Sequence, residues 1–164
     1  MPLTKLNATF GLTGALPAVS GASLTGVSAG KVLQVVTATD STSRTTTSTS
    51  FVTGSNTLSV NITPASSSNK VFIQVCSGGD NNTNASTSHY TIYRDSTDLG
   101  QSSEGLTGLQ RNQGNKFPMS MSVLDSPSTT SQITYQVYFR AGSATASLTN
   151  FSCKSTITAF EIEG

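Results

Sequence analysis

Three short patterns in the sequence match motifs of enzymes that use a serine nucleophile. GVSAG at 26–30 has the form G-x-S-x-G, while SAGK at 28–31 and SSNK at 67–70 have the form S-x-x-K. The first motif works when a buried strand precedes the serine and a helix follows it, and the second works when a helix places Ser and Lys on one face. No helical spacing surrounds any of the three. We therefore predict that the matches are accidental and that the chain has no catalytic residue.

A histidine and an Asn-rich loop are the remaining groups that could bind a metal or transfer a proton. His89 is the only histidine, and we expect it to lie half exposed at a strand end. Asp80, Asn82 and Asn84 alternate as the ligands of a calcium-binding loop do. The loop nevertheless lacks the glycine of the sixth position, and Thr91 stands where the glutamate of the twelfth would be. We predict no metal, no cofactor and no enzymatic activity.

The chain contains two cysteines, Cys76 and Cys153. Two are too few for a disulfide framework, and their spacing does not determine whether they pair. Because free cysteine is among the most frequently buried residue types, we expect two buried free thiols.

Low charge argues against several classes of partner. Of 164 residues, nine are Lys or Arg and eight are Asp or Glu, so that the net charge is +1. The basic residues are scattered along the chain, whereas nucleic-acid binding requires concentrated positive charge. No apolar run approaches the roughly 18 residues of a membrane-spanning helix, and the first residues lack the basic and apolar regions of a signal peptide. We expect no nucleic-acid partner and no membrane insertion.

Residue types and spacing favour an all-β fold. About a third of the residues are Ser or Thr, which suit turns and strands respectively, and strong helix formers do not recur at helical spacing. Eight segments read as strands between turn signals: 31–38, 45–52, 57–63, 70–76, 89–95, 116–124, 132–140 and 155–162. Pro118 lacks a backbone N–H, which predicts that its strand lies at an edge or begins near this residue. The pattern predicts an antiparallel two-sheet sandwich, with a jelly roll as first choice and an immunoglobulin-like sandwich as the alternative.

The first part of the chain differs from this pattern. Residues 12–30, LTGALPAVSGASLTGVSAG, carry no charge and no aromatic side chain, and Gly and Pro interrupt them repeatedly. Such a segment buries too little to fold alone, but its small side chains and free backbone donors suit it to lying on another protein. We predict an extended attachment arm at 1–29 and a β-sandwich domain at 30–164. The expected anchors are the large apolar residues Leu3, Leu6, Phe10, Leu12, Leu16, Val19, Leu24 and Val27.

Several predicted strands are apolar on both faces. A sheet with one face in water alternates more strictly, so either a loop or another subunit covers the second apolar face. We favour a second copy of the chain, because outward-facing aromatic residues are typical of protein interfaces. The expected subunit interface contains Phe72, Tyr93, Tyr138, Phe160 and Ile162.

Two polar segments, 77–89 and 99–116, could contact a receptor. Irregular segments longer than about 12–15 residues tend to carry function. The side chains in or directly beside these segments that could stack or form hydrogen bonds are Asp80, Asn82, Asn84, His89, Tyr90, Arg111 and Asn112.

The order of the strand phrases resembles small β-sandwich virion surface proteins and fibre-end domains of tailed bacteriophages, many of which infect marine and freshwater bacteria. The resemblance covers 30–162 and rests on GKVLQVV, TTSTSFV, LSVNITP, SSNKVFIQV, YTIYRDSTDLG, LDSP, TYQVYFR and STITAFEI. The arm phrase LPAVSGASLTG is similar to the lead-in of phage fibre proteins. The resemblance implies a non-enzymatic protein that is commonly trimeric, and it brings no active-site residues with it.

These observations leave three functions to compare. The first is a structural protein of the virion surface, a homotrimeric head decoration or short fibre that binds other capsid or tail proteins through its arm. The alternative is a receptor-binding tail-fibre tip that recognises a host surface glycan or protein through its loops. The third is an enzyme such as a polysaccharide depolymerase, for which the sequence contains no catalytic constellation. The short chain without a stalk favours the first.

Overall fold

Alternating apolar residues build two antiparallel sheets in the computed structural model, which describes residues 31–81, 87–110, 117–149 and 153–164. The described residues form strands and no helix, so none of them belongs to a helix that could cross a membrane. The predicted arm at 1–29 lies outside these residues. The strands are β1 (Val32–Asp40), β2 (Arg44–Thr46), β3 (Ser59–Ile62), β4 (Lys70–Asn81), β5 (Thr87–Arg94), β6 (Thr97–Asp98), β7 (Thr107–Gln110), β8 (Phe117–Asp125), β9 (Ile133–Ala141), β10 (Ala146–Leu148) and β11 (Ser155–Ile162).

The strand order is that of a jelly roll. Four antiparallel pairs are nested along the chain: β1 with β11, β3 with β9, β4 with β8, and β5 with β7. The first sheet therefore runs β1-β11-β4-β8 and the second runs β3-β9-β5-β7. Two interleaved sheets built from nested pairs define the jelly roll. The first-choice prediction is confirmed, and the immunoglobulin-like alternative is wrong.

Short strands extend this frame where the sequence pattern was weak. β10 pairs with β4 beyond the end of β11 and carries β2 on its other side, while β6 folds back on β5 through a two-residue turn at 95–96. The predicted strand at 45–52 is shorter than expected, since only Arg44–Thr46 forms a strand and Val52 makes an isolated bridge to Phe139. Pro118 lies on β8, which pairs only with β4 among the described strands, as its missing N–H predicts.

The core lies between the two sheets and follows the alternation of the strands. The first sheet contributes residues such as Val71, Ile73 and Ile157, and the second contributes Tyr135 and Phe139, all fully buried. Residues of the opposite parity point outward, away from this core. Both outer faces are therefore available as surfaces, and their composition decides what each can contact.

Two buried carboxylates lie at opposite ends of the β1–β11 pair. Glu161 accepts hydrogen bonds from the side chains of Asn69 and Gln34 and from the backbone N–H of Ala65. Burial by itself would raise the pKa of Glu161, but these three hydrogen bonds outweigh it and hold the pKa below its ordinary value.

Asp40 lies at the other end of the β1–β11 pair. Its carboxylate accepts hydrogen bonds from the backbone N–H groups of Thr42 and Thr57 and pairs with Arg44 at 3.2 Å. Burial again opposes the charge, but the hydrogen bonds and the guanidinium lower the pKa of Asp40. The two clusters thus keep both carboxylates ionised while fixing the connections on either side of β3.

Candidate functional site

The metal-binding and serine motifs of the sequence find no matching geometry among the described residues. They contain no group of three or more His, Cys, Asp or Glu side chains that could hold a metal ion. In SSNK, Ser67 lies in a turn and Lys70 begins β4, so no helix places the two side chains on one face. GVSAG lies outside the described residues.

The structure buries two of the proposed receptor contacts. Tyr90 is completely buried, and its hydroxyl donates a hydrogen bond to the carbonyl of Ser147 at 2.7 Å. Burial raises the pKa of this phenol, so the hydroxyl remains a donor. His89 was expected to be half exposed but is only 7% exposed, with its Nδ1 2.9 Å from a carboxylate oxygen of Glu104. Neither side chain can contact a receptor, because Tyr90 points into the core between the sheets and the segment that carries Glu104 covers His89.

Of the other five proposed receptor residues, the structure describes one and does not describe four. Asp80 lies half buried within β4, where its carbonyl accepts a hydrogen bond from the Ser88 hydroxyl. The remaining four lie outside the described residues: Asn82, Asn84, Arg111 and Asn112. The anchors proposed on the arm also lie outside them: Leu3, Leu6, Phe10, Leu12, Leu16, Val19, Leu24 and Val27.

The outer face of the first sheet carries three cross-strand rows without a single charged side chain. Each row crosses β1, β11, β4 and β8 in register. We call these twelve positions the uncharged face. Its members are Val35, Phe160, Phe72 and Leu124; then Thr37, Thr158, Gln74 and Ser122; then Thr39, Thr156, Cys76 and Ser120.

The first of these rows is entirely apolar and reaches solvent. Val35 is 54% exposed and Leu124 is 52% exposed, and between them Phe160 and Phe72 lie half buried with ring centroids 6.1 Å apart. An apolar row that spans four strands is the composition found at the centre of protein interfaces rather than on a solvated sheet. Lys70, which pairs with Ile162 and is exposed, borders the row on one side.

The five residues of the predicted subunit interface divide between the two sides of the sandwich. Phe72, Phe160 and Ile162 belong to the outward parity of the first sheet. Tyr93 and Tyr138 project from the outer face of the second sheet, where their rings stack at 4.1 Å with an interplanar angle of 26°. A single flat contact cannot include both groups, because the two faces point in opposite directions.

A cleft opens beside the tyrosine pair on the second sheet. It has a volume of about 460 Å³. Its lining combines two aromatic rings, one guanidinium and several hydroxyls: Thr49, Ser50, Phe51, Tyr93, Ser102, Ser103 and Arg140. The sequence places these residues in four separate segments, and the pairing of Val52 with Phe139 brings the first segment to the others.

The two cysteines lie at a different place. Both are free thiols, and both are exposed rather than buried as expected. Cys76 belongs to the uncharged face, whose outward parity exposes it, and Cys153 precedes β11. They line a common cavity of about 390 Å³ together with Phe117 and Pro118.

Comparisons with known proteins give likenesses among solved structures alone. No family model and no curated protein matches the chain. Among solved structures, the chain is similar to a mutant VP2 protein of infectious bursal disease virus in derived T=1 particles, with 12% sequence identity and a TM-score of 0.46. The likeness covers 89% of this chain but 40% of that one, so this chain spans less than half of its length. At this sequence identity and TM-score the likeness supports no conclusion about this chain. The fold assignment rests on the strand order.

Proposed function

We propose that this protein is a structural component of the surface of a tailed-bacteriophage virion, a homotrimeric head decoration or short fibre. The observation that carries the proposal is the uncharged face, which exposes an apolar row where a solvated sheet would carry Lys or Glu. The jelly roll provides a rigid body for such a role. The resemblance of the strand phrases to phage virion proteins supports the assignment to a virion. The arm at 1–29 attaches the body to other capsid or tail proteins.

The uncharged face serves contacts between copies of the chain. In a trimer each contact is heterologous, so this face of one copy meets a different surface of the next. Leu124 and Val35 lie at the two ends of the apolar row, where a buried lysine would be left without a partner.

Sedimentation velocity of the full chain tests the trimer. We expect the wild type to sediment as a trimer and Leu124→Lys to sediment as a monomer at the same micromolar concentration. Thr130→Lys adds the same charge at an exposed position between β8 and β9 and should remain trimeric. A monomeric wild type, a dimer, or a trimer that survives Leu124→Lys would contradict the proposed interface.

Deletion of residues 1–29 tests the arm separately. Particles that lack the native protein should bind the full chain and fail to bind the shortened one, while the shortened chain keeps its trimeric state in solution. Full attachment without the arm would contradict its role and leave the trimer prediction standing.

The cleft on the second sheet favours a second candidate function, recognition of a host surface receptor. It lies on the side opposite the uncharged face, so it is a separate surface from the one that carries the apolar row. The contacts would come from the cleft, since two of the loop residues first considered, His89 and Tyr90, are buried.

A further inference from the structure

We infer that the cleft lined by Tyr93, Phe51 and Arg140 is a binding site for a neutral pyranose unit of a glycan. The inference concerns the outer face of the second sheet only, and it stands whether or not the protein belongs to a virion. Three features carry it: a fixed aromatic wall, a rim of unpaired hydroxyls, and a guanidinium whose charge is already balanced.

The aromatic wall is built from two strands. Tyr93 on β5 stacks on Tyr138 of the adjacent β9 at 4.1 Å, which fixes its ring at the cleft. Burial, Asp98 and Tyr138 together raise the pKa of Tyr93, so its hydroxyl stays protonated near neutral pH. A flat apolar surface with one hydroxyl donor at its edge matches the C–H face and the ring substituents of a sugar.

The second wall is held by backbone pairing. Val52 exchanges two backbone hydrogen bonds with Phe139, at 3.0 and 2.9 Å, which fixes the neighbouring Phe51 beside β9. The guanidinium of Arg140 lies 5.5 Å from the centroid of the Phe51 ring. Two aromatic rings from distant parts of the chain therefore border one opening.

The rim offers hydroxyls that are free to bond to a ligand. Among the described residues, the hydroxyls of Thr49, Ser50 and Ser102 have no hydrogen-bonding partner. The loop that carries Ser102 is nevertheless ordered, because the side-chain oxygen of Gln101 accepts hydrogen bonds from the backbone N–H groups of Ser103 and Glu104. A preformed polar rim reduces the entropy that a ligand would lose by ordering the site.

The charges around the cleft select a neutral ligand. Arg140 donates to the carbonyl of Ser103 and lies 3.8 Å from Glu104, so its charge is balanced before any ligand arrives. A nucleotide could stack on Tyr93 as well as a sugar does, but its phosphate would require a cation that this site does not leave free. An acidic sugar would meet the same obstacle in Glu104.

Saturation-transfer NMR and calorimetry on the full chain test the site. The probes are the methyl glycosides of glucose, galactose and mannose, N-acetylglucosamine, N-acetylneuraminic acid and adenosine monophosphate. We expect at least one neutral sugar to bind with a Kd in the range of about 1 mM that single rigid sites of this size reach. The acidic sugar and the nucleotide should bind at least tenfold more weakly.

Two pairs of variants separate binding from folding. Ser102→Trp fills the cleft from an exposed loop and should abolish binding, whereas Thr130→Trp places the same side chain far from the cleft and should not change it. Tyr93→Phe keeps the ring and should weaken binding several-fold, and Tyr93→Ala should weaken it further. The inference fails if no neutral sugar binds, if Ser102→Trp binds as the wild type does, or if the acidic sugar or the nucleotide binds more tightly.

Discussion

Glu161 shows how a buried charge is stabilised without a cation. It is only 1% exposed, and its three donors are two side-chain amides and one backbone N–H. Glu161→Gln would replace an acceptor-only group with an amide whose own donors face those donors. We expect it to lower the free energy of unfolding by about 1.5–3 kcal/mol, the range for hydrogen bonds to charged groups.

Urea unfolding at neutral pH measures this loss. Glu163→Gln is the matched control, because Glu163 is two residues further along and half exposed, paired with Lys31 at 3.7 Å. It should change stability by less than about 0.5 kcal/mol, as exposed ion pairs do. Equal losses in the two variants would mean that the hydrogen bonds to Glu161 contribute nothing.

The free energy of unfolding should also decrease in acid, because Glu161 and a second buried carboxylate, Asp40, become protonated there. The pKa of Glu161 is lowered below the value of 4.5 for the unfolded chain, and that of Asp40 below 3.8. The unfolded state therefore binds protons first, so the two groups stabilise fully above about pH 5 and lose their effect as pH falls through the folded pKa values. The urea midpoint of the wild type should fall between pH 5 and pH 3 by more than that of Asp40→Asn/Glu161→Gln; parallel curves would contradict this.

At the scale of elements, one polar cluster joins the two sheets. Asp125 at the end of β8 accepts hydrogen bonds from Arg94 on β5 at 2.8 Å and from the Tyr135 hydroxyl on β9 at 2.7 Å. Asp125→Ala would leave the mostly buried Arg94 without its partner and should cost about 2–3 kcal/mol, while Tyr135→Phe should cost about 1 kcal/mol.

A double-mutant cycle gives the measurement for this cluster. Because Arg94 and Tyr135 share one carboxylate, the double variant Asp125→Ala/Tyr135→Phe should cost less than the sum of the single variants. Tyr138→Phe is the control for Tyr135→Phe. It also removes a tyrosine hydroxyl, but the hydroxyl of Tyr138 has no hydrogen-bonding partner among the residues that the structure describes. Strict additivity would show that the two contacts are independent.

Alternation of apolar and polar residues predicts the long, regular strands. β4, β9 and β11 follow their apolar periodicity, and Phe72 and Phe160 face outward as the two-sided pattern indicates. β7 and β10 were missed because they are three or four residues long and have no repeat to count. The predicted strand at 45–52 was too long, because Ser and Thr runs suit strands and loops alike.

The candidate site was harder to predict for a physical reason. Burial of His89 depends on a segment that folds back over β5, a contact that spacing along the chain does not contain, whereas Tyr90 is buried because it faces the core. The cleft joins residues such as Phe51 and Arg140 that are far apart in sequence. Only the apolar residues on both faces of several strands indicated that the outer surfaces of the sandwich would make contacts.

At the scale of the whole molecule, the nested pairing makes folding depend on the end of the chain. β11 lies between β1 and β4, so the first described strand pairs with the last. A chain truncated before Ser155 would lose a central strand and leave β1 without a hydrogen-bonded partner among the described strands. We expect such a chain to lack a cooperative unfolding transition, whereas removal of the last two residues should leave it intact; circular dichroism during heating distinguishes them.

The thiols provide a readout of assembly. Cys76 lies on the uncharged face and is exposed in the single chain. In the proposed trimer it should react with a maleimide at least tenfold more slowly than in the monomeric Leu124→Lys variant. Ser102→Cys, in a background with both native cysteines replaced by Ser, should react equally fast in either state, because the cleft stays open. Equal protection of both positions would contradict the division of roles between the two faces.

The pairing of Val32 with Ile162 has a practical consequence for anyone who wishes to display cargo on this scaffold. The backbone N–H of Glu163 donates to the carbonyl of Lys31 at 2.9 Å, so the described chain enters and leaves the sandwich at one corner. A peptide fused after Gly164 would emerge beside Lys31, where the described chain enters the first sheet. An insertion into the β8–β9 connection, near Thr130, avoids that corner and offers the better position for a fused epitope.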